Sequence, residues 1–94
     1  MKRNTLDKIL LKIVKISQNF GAKKVLLFGS CLDDIDNAQD IDIAVSGIPT
    51  RRFFEYYAEV SMAVKDEVDI VDLDDLDDHF FGRILSKGKV LYEG

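Results

Sequence analysis

The segment Asp40-Ile41-Asp42-Ile43-Ala44-Val45 constrains the fold more than any other part of the chain. Alternation with a period of two is the signature of a strand, so Asp40 and Asp42 share one face while Ile41 and Ile43 share the other. The isoleucine face must be covered by apolar partners. The aspartate face must meet solvent or hold something that compensates two carboxylates, because buried charges need partners. Val25-Leu26-Leu27-Phe28, ended by Gly29-Ser30, is a continuous apolar run that suits a strand covered on both faces. Glu67-Val68-Asp69-Ile70-Val71-Asp72 alternates acidic against apolar, and Lys89 to Tyr92 after Gly88 reads as a last short strand.

Helical periodicity fills the intervals. Leu6, Ile9, Leu10, Ile13, Val14 and Ser17 follow the three-four spacing of one helix face, with Asn4 expected as its cap and Gly21 as a left-handed stop. Thr50 is expected to cap a second helix reaching about Val64, with Phe53, Tyr57, Val60 and Val64 buried. Cys31 to Gln39 reads as a short helical turn plus loop, Asp74 to Asp78 as an acidic connector, and Phe80 to Ser86 as a short helix. The order α-β-α-β-α-β-α-β places the chain in the α/β class, with α+β character: a small mixed sheet flanked by helices. At 94 residues there is material for one core, so residues 1–94 are expected to be a single domain. Phe54, Tyr56, Phe80 and Phe81 exceed what that core needs and are candidates for an apolar docking patch.

Composition narrows the function classes. A hydrophobic fraction of 47% with 32% charged residues excludes a disordered or fibrous chain. The longest apolar stretch is interrupted by Lys12 and Lys15, so no membrane span is expected, and Met1 to Asn4 does not open a signal peptide. A cytoplasmic protein follows as the expectation. Cys31, the one cysteine, can neither close an internal disulfide nor anchor a zinc site alone. Residues 1–24 hold seven of the 13 basic residues and a single acid, Asp7, which leaves the rest of the chain strongly acidic. An acidic surface disfavours nucleic acid, whose binding is dominated by phosphate neutralisation, and favours cations.

Carboxylates at alternate strand positions can contact one cation, or two cations about 3.5–4 Å apart as in two-metal phosphoryl chemistry. An exposed edge strand whose acids discourage aggregation would show the same pattern. Asp69, an acid amid apolar neighbours on another strand, adds a third carboxylate. Hard oxygen ligands select Mg²⁺ or Mn²⁺ over zinc, and Asp69 can serve as a third ligand or as the base that takes a proton from an attacking hydroxyl. The odd spacing from Asp69 puts Asp72 on the opposite face. Gly29-Ser30 offers a close backbone approach and a hydroxyl donor to a phosphate, though it lacks the lysine and glycine spacing of a P-loop.

Gly29-Ser30, nine intervening residues, Asp40-Ile41-Asp42 and a later Asp69 together resemble the minimal nucleotidyltransferase (MNT) domains of the DNA polymerase beta superfamily, over nearly the whole chain. The resemblance implies an Mg²⁺-dependent nucleotidyltransferase. In it Gly29 and Ser30 hold the triphosphate, Asp40 and Asp42 coordinate two Mg²⁺, and Asp69 completes the metal and catalytic site. Stand-alone domains of this kind resemble antitoxins paired with a small helical HEPN-type toxin. The implied reaction is therefore transfer of a nucleoside monophosphate, AMP from ATP, to a hydroxyl of such a partner, in a hetero-oligomer or homo-oligomer. Many relatives carry a basic residue after the Gly-Ser where this chain has Cys31, and here the following loop is acidic at Asp33, Asp34 and Asp36. That departure supports an alternative, a binding module of weak or absent catalysis that neutralises its partner by occlusion.

Overall fold

The computed structural model describes residues 2–29 and 40–94; Ser30 and the helical turn expected within Cys31 to Gln39 lie outside the described residues. Helix α1 spans Arg3–Asn19 and buries Leu6, Leu10, Ile13 and Ser17, the stripe its periodicity predicts. It begins before Asn4, with Lys2 at the cap position and no side-chain cap, so Asn4 sits inside the first turn. Its end is a Schellman turn: the Ala22 N–H donates to the Ser17 carbonyl and the Gly21 N–H to the Gln18 carbonyl. Gly21 takes φ +88°, a conformation that favours glycine.

Strand β1 (Lys24–Phe28) and strand β2 (Asp40–Ser46) pair antiparallel, with Phe28 opposite Asp42 and Leu26 opposite Ala44. Helix α2 (Thr50–Ala63) then carries the chain over to strand β3 (Glu67–Asp72), which lies parallel to β2. Pro49, not Thr50, occupies the cap position of α2, so the threonine is its first helical residue. A 3₁₀ turn (Leu73–Asp75) follows, then helix α3 (Asp78–Lys87), capped by the Asp77 carboxylate accepting from the Phe80 N–H at 2.9 Å. Strand β4 (Lys89–Glu93) closes the sheet antiparallel to β1. The order β3-β2-β1-β4 makes a mixed sheet and confirms the expected class. Among the described residues, no helix is long and apolar enough to cross a membrane.

The two faces of this sheet are covered unequally. On one face Val25, Leu27, Ile41, Ile43, Val45, Val68 and Ile70 pack against α1 and α2 in the larger core. Tyr56 is fully buried at its centre, a correction to the idea that it was surplus aromatic surface. Its ring meets Phe20 and Phe53 edge-on, at centroid distances of 5.5 and 5.9 Å. Ser17 Oγ donates its one hydrogen to the Ile13 carbonyl at 2.6 Å, so the Tyr56 hydroxyl donates to Ser17 Oγ at 2.7 Å. Burial pushes the Tyr56 phenol up to about 12, keeping it neutral and so able to act as that donor. Phe53 and Tyr57 are only partly buried, because the stripe of α2 is centred on Tyr56 and Val60.

On the opposite face a smaller cluster of Leu26, Ala44, Leu73 and Ile84, flanked by Phe28, Leu76 and Phe81, is roofed by the 3₁₀ turn and α3. The acidic connector has structural work here. Asp72 caps the 3₁₀ turn by accepting from the Asp74 N–H at 3.0 Å, and Asp74 accepts from the Gly47 N–H at 2.9 Å, tying the turn to the end of β2. This roof covers only part of the face and leaves its other end to the carboxylates.

Candidate functional site

β2 enters the sheet at Asp40, and its alternation is written into its burial: Asp40 exposed, Ile41 buried, Asp42 half-buried, Ile43 buried. The parallel pairing sets Asp42 opposite Asp69 and Asp40 opposite Glu67. Directly opposed residues of adjacent strands project to the same face about 4.8 Å apart. The structure therefore brings Asp40, Asp42 and Asp69 to one face and adds a fourth carboxylate, Glu67, that sequence reasoning did not place there. The signal was present in its spacing of two from Asp69, but only the register relates it to Asp40. Asp72 takes its place opposite Val45, on the helix-covered face, as its odd spacing requires.

The carboxylates feel one another. The Asp42 carboxyl is held above its ordinary value, first by burial, then by the negative charge of Asp69 and then by that of Asp40. Desolvation and like charge act together against the ionised form, and a cation would relieve both. Among the described residues no three such side chains come together in a group that could by itself hold a metal ion. A closed cage is not what Mg²⁺ takes: it is usually held by one or two carboxylates, with phosphate oxygens and waters completing the shell. The donor set of hard oxygens on one open face fits that ion.

β1 forms the wall of the site. Phe28 stands opposite Asp42, and Gly29 follows with φ +80°. A Cβ at Gly29 would collide with Asp42 Oδ2 and lie 2.9 Å from its Cγ. The glycine is required twice, by its backbone conformation and by the carboxylate lying against it. It brings the end of β1 up to the carboxylates, where its backbone can meet a ligand. Ser30, the other residue expected to hold phosphate, lies outside the described residues, as do Cys31, Asp33, Asp34 and Asp36. Of the aromatics expected in a docking patch, Phe54 and Phe80 are exposed, while Phe81 packs on the smaller core.

The profile of the family described as Polymerase beta, Nucleotidyltransferase matches residues 11–94. No curated protein sequence matches the chain. Among solved structures, a toxin–antitoxin crystal structure with AMP-PNP is similar at 25% identity and a TM-score of 0.75, covering 90% of this chain and 73% of that one. The complex of the tri-AMPylated Shewanella oneidensis HEPN toxin with its MNT antitoxin is similar in fold, at 24% identity and a TM-score of 0.73, covering 94% and 72%. A structure described as a minimal nucleotidyltransferase shares the fold over 94% of both chains, with 20% identity and a TM-score of 0.78.

Proposed function

Because this chain belongs to the polymerase beta nucleotidyltransferase family, we propose that it transfers a nucleoside monophosphate, AMP from ATP, to a hydroxyl of a partner protein. The partner is a small helical HEPN-type toxin for which this chain is the antitoxin, in keeping with the similarity to toxin–antitoxin structures that hold AMP-PNP or an AMPylated toxin. The observation that carries the reading is the Asp42–Asp69 pairing, with Asp40 on the same face and Gly29 against Asp42.

In this reading Gly29 and Ser30 hold the triphosphate through backbone N–H groups and a hydroxyl. Asp40 and Asp42 hold Mg²⁺, with Asp69 as a third ligand or as the proton acceptor. Bound Mg²⁺ supplies neutralisation of the phosphate charge and orients the leaving group. As the proton acceptor, Asp69, which is exposed on the edge strand, takes the proton of the incoming hydroxyl as the hydroxyl oxygen bonds to the α-phosphorus and pyrophosphate departs. Positioning and charge neutralisation are the main requirements of such an in-line displacement, and no covalent help from the protein is needed.

The test is transfer of label from ATP radiolabelled at the α-phosphate to the co-expressed helical partner, with Mg²⁺ and with chelator. Label should appear with the wild type and Mg²⁺, and the Asp40→Asn/Asp42→Asn variant should lose at least about 100- to 1,000-fold in rate. A wild type that binds its partner yet transfers nothing from any nucleotide would overturn transfer and leave occlusion as the account.

A further inference from the structure

β3 is an edge strand, and an edge strand ordinarily offers unpaired backbone groups to a partner strand. Here part of the offer is withdrawn. The Tyr57 hydroxyl, reaching across from α2, donates to the Val68 carbonyl at 3.1 Å and accepts from the Ile70 N–H at 3.3 Å. A partner strand cannot pair with the Val68 carbonyl or the Ile70 N–H while Tyr57 holds them, so side chains have a larger share in recognising anything that docks there.

Tyr57 also stands between two hollows and lines both. The first, of about 570 Å³, is mainly apolar, lined by Phe53, Phe54 and Ala58 together with Asp72 and Asp75. Phe54 is 86% exposed, a large apolar side chain lining an apolar hollow that is open to solvent. The second, of about 410 Å³, is polar and is lined by Ser61, Lys65 and Asp66 and by Glu67 and Asp69 of β3. Glu67 and Asp69 belong also to the carboxylate face, so the groove runs from an aromatic anchor site to the proposed site of transfer.

We propose that this flank, from Phe54 past Tyr57 to Asp69, is the docking groove for the acceptor polypeptide, and that it takes a basic segment anchored by an apolar side chain. The inference rests on the nucleotidyl-transfer reading above for the identity of the occupant as acceptor. Charge selects the segment: among the described residues lining the two hollows, Asp72 and Asp75 at one end and Asp66, Glu67 and Asp69 at the other outnumber the one base, Lys65, so a cationic chain is attracted and an anionic one repelled. The aromatic hollow fixes register, because a buried apolar anchor in a pocket carries most of the affinity of such a contact. A hydroxyl borne a few residues beyond the anchor then arrives at Asp69.

The test uses fluorescent synthetic peptides, each with one tyrosine: cationic with a leucine anchor, cationic without it, and anionic with it. Binding to the full chain is read by anisotropy, and Mg²⁺·ATP binding is read separately by calorimetry. The cationic anchored peptide should bind best, and Phe54→Asp and Asp75→Lys should each weaken it by about tenfold or more. Both positions are exposed, so thermal midpoints and Mg²⁺·ATP binding of these variants should match the wild type. Absence of binding by any peptide, binding indifferent to charge and anchor, or binding unchanged by Phe54→Asp would overturn the groove. Failure of the wild type to bind Mg²⁺·ATP would instead remove the nucleotidyl-transfer reading, with the anisotropy still deciding whether the groove binds.

Discussion

The same β2 strand builds two opposite environments. Ile41, Ile43 and Val45 are fully buried beneath α1 and α2, whereas Asp40 is exposed and Asp42 only half-covered on the reverse face. One face is optimised for burial, with Tyr56 and Ser17 satisfying each other inside it and, among the described residues, no buried side-chain polar atom left without a partner. The other gathers like charges and holds Asp42 above its ordinary value. A strand that concentrates carboxylates on one side has to be held in place from the other. The helix-covered face is the anchor that makes the acidic face tolerable.

The strongest way to break this comparison is to attack the anchor. Tyr56→Ala should cost about 3–5 kcal/mol, since it empties the centre of the larger core and leaves Ser17 without its partner. Urea denaturation measures it, and a midpoint like that of the wild type would show that stability does not reside in this face. Gly29→Ala should cost about 1–3 kcal/mol, from strain at φ +80° and from displacement of the Asp42 carboxylate. Because that displacement falls on the acidic face, it should also abolish Mg²⁺·ATP binding in calorimetry. Retained binding would separate Gly29 from the ligand site.

The smallest effect sharpens the comparison. A carboxyl raised in the folded state binds its proton more tightly there than in the unfolded chain. Its ionisation penalty is absent at low pH, grows as pH rises above 3.8, and is complete above the raised folded value. In chelator, Asp42→Asn should therefore be slightly more stable than wild type at neutral pH, by less than about 1 kcal/mol because the site is open to solvent, and the gap should close as pH falls toward 3.8. Mg²⁺ added at neutral pH should raise the melting midpoint of the wild type but not that of the variant. A variant less stable than wild type at neutral pH would mean that Asp42 stabilises the fold as an ion.

Much of this was legible in the sequence because periodicity is a local property. The alternation around Asp40 and Asp42, the apolar run into Gly29 and the stripe of α1 each follow from residues within a few positions of one another. The caps were less legible: Asn4 and Thr50 have the chemistry of caps, yet both lie inside their helices, where packing of the buried stripe sets the boundary. The centre of α2 was misplaced by one position, on Tyr57 in place of Tyr56, because both are tyrosines and either phase leaves an aromatic on the inner face. Tyr57 has instead become the side chain that seals the β3 edge.

The sequence by itself determined which residues could share a face, since the pleat assigns alternate side chains to opposite sides whatever the rest of the chain does. It also determined that a carboxylate-bearing strand would need cover on its other side, and it carried the motif by which the family is recognised. Only the tertiary structure decided that Asp42 stands opposite Asp69 and Asp40 opposite Glu67, that Gly29 closes against Asp42, and that Tyr57 reaches β3. Those relations join residues far apart in the chain. Strand register is set by matching the buried faces of neighbouring strands across the segments that connect them, a relation between distant stretches that no short stretch of sequence encodes.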